Sequence, residues 1–328
     1  MNSELRSVAV IGAGISGLVC ATKLMQQGFA VEVFEKSRGP GGRMATRRHE
    51  AATFDHGAQF FRARSASFSR EVQQWETKGC ATIWDGRFAT LSSRGLEEDP
   101  DTRRRWVGSP KMNAITRSLS ADLSVQWRAR VTSLARAETG WRLLLDTGEP
   151  VGNFDGVVLS CPGPQAAALS PESSVVFERS KTLSYGACWA VMVGFDGRIN
   201  VPFDGIRCDT GPFSWLARDS SKPGRPPGER WILHGSPDFS AKHIEDAPED
   251  VAELLVADFV GRFGGRVTHT SAHRWRFALA KQGAADDCEW DQEIGLGLCG
   301  DALIGPRVES AWQSGVSLAH AIGVTNRH

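Results

Sequence analysis

The sequence predicts an α/β fold (α+β overall) in which a parallel, doubly wound unit is joined to a second domain built on a mixed sheet. Three observations predict it. A buried strand, a glycine turn, a helix and a second strand follow one another within residues 8–35. Beyond about residue 180, apolar runs alternate with Pro- and Gly-rich loops, the texture of an antiparallel or mixed sheet. Near the end, the apolar strand Leu296–Cys299 is followed by a helix lined with small residues, so the chain returns to parallel-sheet texture. The first domain is accordingly expected to be discontinuous, taking 1–60, 120–165 and 285–328, with the second domain taking 61–119 and 166–284.

The elements follow in order. Val8-Ala9-Val10-Ile11 is continuously apolar and runs into Gly, as a strand buried on both faces does. Residues 15–27 have helical composition, and Gly28 stops them. Residues 30–35 are the second strand of a βαβ unit. Residues 37–48 read as a basic loop, 53–61 as an extended segment, 68–78 and 111–120 as helices, and 86–110 as polar and irregular. Residues 125–134 and 141–146 alternate apolar with polar and read as an antiparallel pair, and 156–160 as a further buried strand. In the second domain, strands are expected at 189–195, 213–217, 230–233 and 268–277. Residues 220–228 form a loop, 248–263 an amphipathic helix, and 309–324 the last helix.

The bulk numbers exclude several classes. Hydrophobic residues make up 41% of 328 and charged residues 23%, ordinary for a globular chain long enough for two domains. The net charge is zero, so nothing global points to nucleic acid or an anionic membrane as partner. No apolar run approaches the roughly 18 residues of a membrane span. The seven Cys are an odd number with no C-x-x-C pair, which fits reduced thiols in the cytoplasm, and no Cys/His cluster suggests a metal. Of the 38 basic residues only eight are Lys. Arg suits bidentate grip on phosphate, and the same bias follows from a GC-rich coding sequence.

Gly12-Ala13-Gly14-Ile15-Ser16-Gly17 matches G-x-G-x-x-G between a strand and a helix, the context that gives the pattern meaning. The first Gly makes the tight turn, the second admits a pyrophosphate, and the third lets helix and strand pack. The helix N-terminus then offers free N–H groups to phosphate. Glu35, ending the second strand, is placed to accept hydrogen bonds from ribose hydroxyls.

The next segments carry a resemblance. The stretch from Glu35 through Gly41-Gly42-Arg43 resembles, with a slightly different spacing, the E-x(6)-G-G-R segment of the flavin-containing amine oxidase superfamily. Asp55-His56-Gly57-Ala58-Gln59-Phe60-Phe61 resembles its D-x-G-x-x segment, Gly300-Asp301 its acidic ribityl contact, and the stretch from Val308 to Gly315 the helix whose N-terminus faces the flavin. The resemblance implies the two-domain fold of hydroxybenzoate hydroxylase and amine oxidases, with non-covalent FAD. It implies a cofactor set of Gly12, Gly14, Ile15, Ser16, Gly17, Glu35, Lys36, Gly42, Arg43, Gln59, Phe60, Val131, Gly300, Asp301 and Val308.

Departures from the family narrow the substrate. The Lys that amine and polyamine oxidases carry near the flavin aligns with Ala190, and Tyr185 is the only Tyr in the chain, so a two-Tyr amine cage cannot form. There is no second G-x-G-x-x-G for a separate NADPH domain. The chain length, the D-H-G-A-Q-F-F stretch and the segment from Trp275 to Ala278 resemble the bacterial renalases within this superfamily. That resemblance implies oxidation of 1,2- or 1,6-dihydro isomers of NAD(P)H, with peroxide as the second product. A dihydropyridine gives hydride without a general base, so no catalytic residue is expected, and His56 reads as structural. The expected substrate contacts are cationic or polar at Arg62, Arg64, Ser65, Arg105 (within the Arg103–Arg105 run) and Arg307, and aromatic at Phe61, Trp106, Tyr185, Trp189, Trp275, Phe277 and Trp312. The expected partners are the dinucleotide and oxygen, with the protein a monomer. Two alternatives remain at this point: an amine oxidase or carotenoid-type desaturase, and a non-catalytic scaffold like the GDP dissociation inhibitors.

Overall fold

The computed structural model describes residues 6–49, 52–281 and 286–326. Of the expected domain limits, 1, 284, 285 and 328 lie outside them. One sheet has six strands, in the spatial order Glu289–Asp291, Leu296–Leu298, Gly156–Leu159, Ser7–Ile11, Ala30–Glu35, Ser124–Trp127. All its neighbours are parallel except the outer pair Glu289–Asp291 and Leu296–Leu298. On one side of its central apolar strands the helices Ile15–Gln26 and Val308–Thr325 pack together, and on the other Ala9, Ile11 and Val157 meet Val131, Trp141 and Phe154 along with Ala166 and Val176. The two helices approach closely enough that a Cβ on Gly315 would lie 2.3 Å from the Ser16 carbonyl oxygen.

A seven-stranded sheet holds Val267–Ala280, Tyr185–Phe195, Glu229–Gly235, Phe213–Arg218, Gly205–Cys208, Phe88–Ser92 and Gly95–Glu98, in that order. It is antiparallel except where Gly205–Cys208 runs parallel to Phe88–Ser92. Successive residues of a strand face opposite sides. Trp189, Val191 and Val193 turn to the side covered by the helix Pro248–Phe263, where Val251, Leu255 and Phe259 complete a core. Met192, Ile232 and Ala217 turn the other way, into a core shared with Ile15, Val19 and Trp312 of the first unit's helices. The junction between the two units is therefore a packed core.

Two expectations are corrected. Residues 86–110 are not irregular: they hold the hairpin Phe88–Ser92/Gly95–Glu98 and the strand Trp106–Gly108, each too short to show an alternation in the sequence. Residues 125–134 are not one strand. Ser124–Trp127 joins the parallel sheet, and after a break at Arg128, with φ 60°, Val131–Arg136 pairs with Trp141–Leu145 in a separate three-stranded sheet completed by Pro150–Phe154. No helix among the described residues is long and apolar enough to cross a membrane.

Candidate active site

The site begins at the glycine turn. Gly12 has φ 110°, and a Cβ on Gly17 would lie 2.2 Å from the Gly12 carbonyl oxygen, so the fold itself demands glycine at both positions. Gly14 is different. Its φ of −75° suits any residue and a Cβ there would meet nothing within 4 Å, so its side chain is absent for a reason other than packing. It caps the helix Ile15–Gln26 without a side-chain bond, leaving that N-terminus open toward an anion. A Cβ on Gly42 would lie 3.5 Å from Gly14 Cα, and one on Gly300 would meet nothing within 4 Å. These glycines frame a cradle that a Cβ would fill, and its donors are N–H groups: the residues fit a dinucleotide.

Glu35 closes one end. Buried at 7% exposure, it accepts the Ala13 N–H at 2.8 Å and the Ser37 N–H at 2.7 Å, so the carboxylate is fixed against the turn. At the other end Arg43 grips Asp301, Nη1 donating to Oδ2 at 2.8 Å, and also donates to the Ala278 carbonyl at 3.2 Å. The chain past Arg43 is locked to the 55–59 turn. Ala58 N–H donates to the Arg43 carbonyl at 2.8 Å, and a Cβ on Gly57 would lie 2.0 Å from that oxygen.

Against this turn packs a row of neutral rings. His273, Ala190, His234 and Trp215 are directly opposite one another on four adjacent strands, so they share one face of the seven-stranded sheet. The His56 carbonyl accepts from Trp275 Nε1 at 3.0 Å and from His234 Nε2 at 3.2 Å, which fixes that imidazole's tautomer. The His56 ring packs on His273 and Trp275 with centroids 4.9 and 5.0 Å away. Burial pushes His56 down to about 3, helped by His273 and Arg47; burial pushes His234 to about 4, and burial with Arg47 pushes His273 to about 4. All three imidazoles are uncharged at neutral pH. Phe60 stacks obliquely on Trp215 at 5.3 Å.

Behind the turn is a buried charged cluster. Asp55 accepts from Thr46 Oγ1 at 2.7 Å, from Met112 N–H at 3.0 Å and from the Arg225 guanidinium. Lys222 donates to Gln59 Oε1 at 2.9 Å and Asp219 Oδ1 at 2.7 Å. Burial works against the Asp55 carboxylate, but Lys222 and Arg225 outweigh it and hold its pKa below the usual value; burial pushes Asp219 up in spite of Lys222.

The cofactor candidates are otherwise placed as follows. Ile15 and Ser16 are buried in the first helical turn, Lys36 is exposed beyond Glu35, Val131 is buried at the start of its strand, and Val308 opens the last helix. Of the substrate candidates, Tyr185 and Phe277 meet edge to face at 5.6 Å near Arg43, and Tyr185 Oη accepts the Gly163 N–H at 3.0 Å. Trp275 joins these rings. Arg64 and Arg307 are exposed beside the start of the last helix; the Arg64 side chain has no partner among the described residues, and Arg307 Nε donates to Ser310 at 3.3 Å.

Others are corrected. Trp189 is fully buried on the opposite sheet face from Ala190, its Nε1 donating to the His243 carbonyl at 2.9 Å, because adjacent strand residues alternate. Phe61, Trp106 and Trp312 are buried in the core around Phe68. Ser65 caps the helix Ala66–Thr77 through Phe68 N–H. Arg62 pairs with Asp101 and Arg105 with Asp99 at 2.8 Å, so both guanidinium groups are engaged within the fold. Sequence reasoning missed His234, His273, Trp215 and the Asp219–Lys222–Arg225 loop. The alternation of His269, Ser271, His273 and Trp275 along one strand was the available signal, since period two puts all four on one face. No His/Cys/Asp/Glu group suited to a metal occurs among the described residues.

Comparison with known proteins agrees with this geometry. A family model described as flavin containing amine oxidoreductase matches residues 89–322, and one described as an NAD(P)-binding Rossmann-like domain matches residues 10–75. A zeta-carotene-forming phytoene desaturase of Myxococcus xanthus is 48% identical over 56 residues, 17% of this chain and 11% of that enzyme. A 4,4'-diapophytoene desaturase of Staphylococcus aureus is 46% identical over 50 residues, 15% and 10% of the two chains. The chain thus spans about a tenth of the length of these curated relatives. Among solved structures, a protein of Exiguobacterium sp. 255-15 described as a protoporphyrinogen oxidase superposes with a TM-score of 0.79 at 14% identity, covering 97% of this chain and 99% of that one. A putrescine oxidase with redesigned cofactor binding gives 0.71 at 16%, covering 97% and 98%.

Proposed function

The chain belongs to the flavin-containing amine oxidoreductase family, and from that premise we propose that it oxidises 1,2- and 1,6-dihydro isomers of NAD(P)H to NAD(P)+, oxygen being reduced to hydrogen peroxide. The observation that carries the reading is the uncharged row His273–Ala190–His234–Trp215, with Ala190 where the resemblance to amine oxidases leads one to expect their Lys. Its imidazoles are neutral, and the nearest carboxylate on the 55–59 turn, Asp55, is already committed to Lys222 and Arg225. An ammonium substrate finds no free anion here. A flat neutral ring that leaves as a pyridinium finds aromatic faces, which favour the developing cation.

Bound FAD would supply the hydride acceptor and the route for the electrons to oxygen. The chain's own residues do the positioning. The Gly12–Gly17 turn would hold the pyrophosphate, Glu35 the ribose, and Arg43 with Asp301 the stretch between phosphate and ring. Trp275, His273 and His234 supply an apolar floor that orients a planar ring and excludes water, and orientation alone suffices because a dihydropyridine drives its own hydride loss. Arg64, exposed and with no side-chain partner among the described residues, would meet the substrate's phosphates.

The test is anaerobic mixing of the yellow holoprotein with preparations containing the 1,2- and 1,6-dihydro isomers, followed by flavin absorbance. Fast bleaching by the isomers, but not by 1,4-NADH or by putrescine, is the expected result. Bleaching by an amine alone would return the protein to amine oxidation.

A further inference from the structure

We propose that Lys222 is a positioning residue for the cofactor-facing turn His56–Gln59 and that it acts through the Gln59 side chain. The inference does not depend on the identity of the substrate.

Lys222 lies on the loop between the strands Phe213–Arg218 and Glu229–Gly235, and its side chain is wholly buried. A buried ammonium must have partners. One is the Asp219 carboxylate on its own loop; the other is Gln59, 163 residues away. By taking Gln59 Oε1, the ammonium fixes which way the amide faces, because Oε1 is its only acceptor. The Nε2 donors then turn back onto their own segment, to the Asp55 carbonyl and, at 3.0 Å, the Gly57 carbonyl. Those bonds tie the turn whose Gly57 and Ala58 press on the Arg43 carbonyl, and Arg43 in turn holds Asp301. A contiguous series of contacts thus runs from Lys222 through Gln59, Gly57 and Arg43 to Asp301, linking a loop of the seven-stranded sheet to the cradle.

The rest of the cluster makes the lysine specific to this task. Asp55 has a closer partner of its own in the Arg225 guanidinium, and the Lys222 ammonium is 3.7 Å from Asp55 Oδ2 against 2.7 Å from Asp219. Trp84 lies 5.4 Å from the ammonium and hydrogen-bonds Ser221, which holds the loop in place independently of the lysine. Removing Lys222 together with the Asp219 charge leaves Asp55 paired with Arg225, so the interior stays balanced while the tether to Gln59 is lost along with the ammonium's longer approach to Asp55.

The experiment is a double-mutant cycle on FAD binding, read by flavin fluorescence on titrating apoprotein and by visible circular dichroism of the loaded protein. Lys222→Met combined with Asp219→Asn is one arm, Gln59→Leu the other, and the triple variant closes the cycle. Positioning through Gln59 predicts that each arm raises the FAD Kd about tenfold and alters the flavin dichroism. It also predicts that the triple variant is no worse than either arm, since both cut the same link. Additive effects overturn the proposal, as does a Gln59→Leu protein with unchanged Kd and dichroism. Should that Lys222 variant fail to fold, Lys222→Arg, which keeps the buried charge and displaces the donor from Gln59 Oε1, takes its place in the cycle and is read in the same way.

Discussion

Arg43 and Asp301, 258 positions apart in the chain, meet as a two-pronged ion pair at the mouth of the cradle. Asp301 is 5% exposed, while the Arg43 side chain keeps about a third of its surface in water. Each guanidinium nitrogen takes one carboxylate oxygen, the geometry that only Arg offers. Arg43→Lys should therefore behave like a loss, not a conservative change. We expect Arg43→Met to strand the buried carboxylate and to destabilise the apoprotein by roughly 2 kcal/mol, below the figure for a fully buried pair because Arg43 is part-solvated. Urea unfolding of wild type, Arg43→Lys and Arg43→Met, with flavin content after gel filtration, checks this; a Lys variant equal to wild type in both would contradict it.

Glu35 holds two backbone N–H groups at once, Ala13 from the glycine turn and Ser37 from the loop beyond. Charge-assisted bonds of this kind contribute about 1.5–3 kcal/mol each. Glu35→Ala should thus loosen the turn itself as well as remove a ribose contact. The expected outcome is an FAD Kd raised on the order of 10- to 100-fold by fluorescence titration. Unchanged flavin content would count against any cofactor role for this carboxylate.

The parallel unit was readable because its signals are local. Four apolar residues, a glycine turn and a helix stop lie in one continuous stretch, and the strand Ala30–Glu35 lies where the apolar run put it. The row of rings was not readable in the same way. His56, His234 and His273 come from three distant segments, and only strand register places the last two on either side of Ala190. Lys222 was hidden by the Pro and Gly around it, which signal a loop but not what the loop inserts. Trp189 was misassigned because composition marks an aromatic strand without saying which of two neighbours turns inward.

Three imidazoles kept neutral make stability pH-dependent. With pKa values near 3, 4 and 4 in the folded state against 6.5 for the free groups, the unfolded chain binds more protons below pH 6.5. Their contribution is complete above about pH 6.5 and is lost as pH falls toward 4. At pH 5 the cost is roughly 2 kcal/mol for His56 or His234, and less for the more solvated His273. Asp55 and Asp101, held below the usual carboxylate range, add their own losses only at lower pH. Urea midpoints at pH 7.5 and pH 5.0 measure the slope, and His234→Asn should flatten it. Equal midpoints at the two pH values would refute neutral burial.

The two arginines once paired in expectation now separate. Arg62 is bound to Asp101, whereas the Arg64 side chain is exposed with no partner among the described residues. Arg64→Ala should raise KM for a dihydronicotinamide dinucleotide several-fold with kcat kept, the pattern of a uniform binding contact. Arg62→Ala should leave KM nearly unchanged and lower stability slightly. The reverse assignment in steady-state kinetics would move the phosphate contact to Asp101's partner.

Ala190 offers the sharpest discrimination between an amine and a dihydropyridine substrate. It is fully buried, with His273 and His234 directly across on the two neighbouring strands, and no carboxylate opposes it in that row. Ala190→Lys would bring an ammonium into a neutral floor. Burial without an anion drives such a lysine toward its neutral form and costs roughly 3 kcal/mol or more of stability, from overpacking and desolvation together. Any fraction that remains charged repels a departing pyridinium, so flavin bleaching by the dihydro isomers should slow sharply while putrescine still gives none. A protein of wild-type stability that gained amine oxidation would mean that the row is not the substrate floor. Ala190→Val separates size from charge: if the branched side chain slows bleaching as much as lysine does, then volume governs the floor, and the electrostatic part of the argument fails.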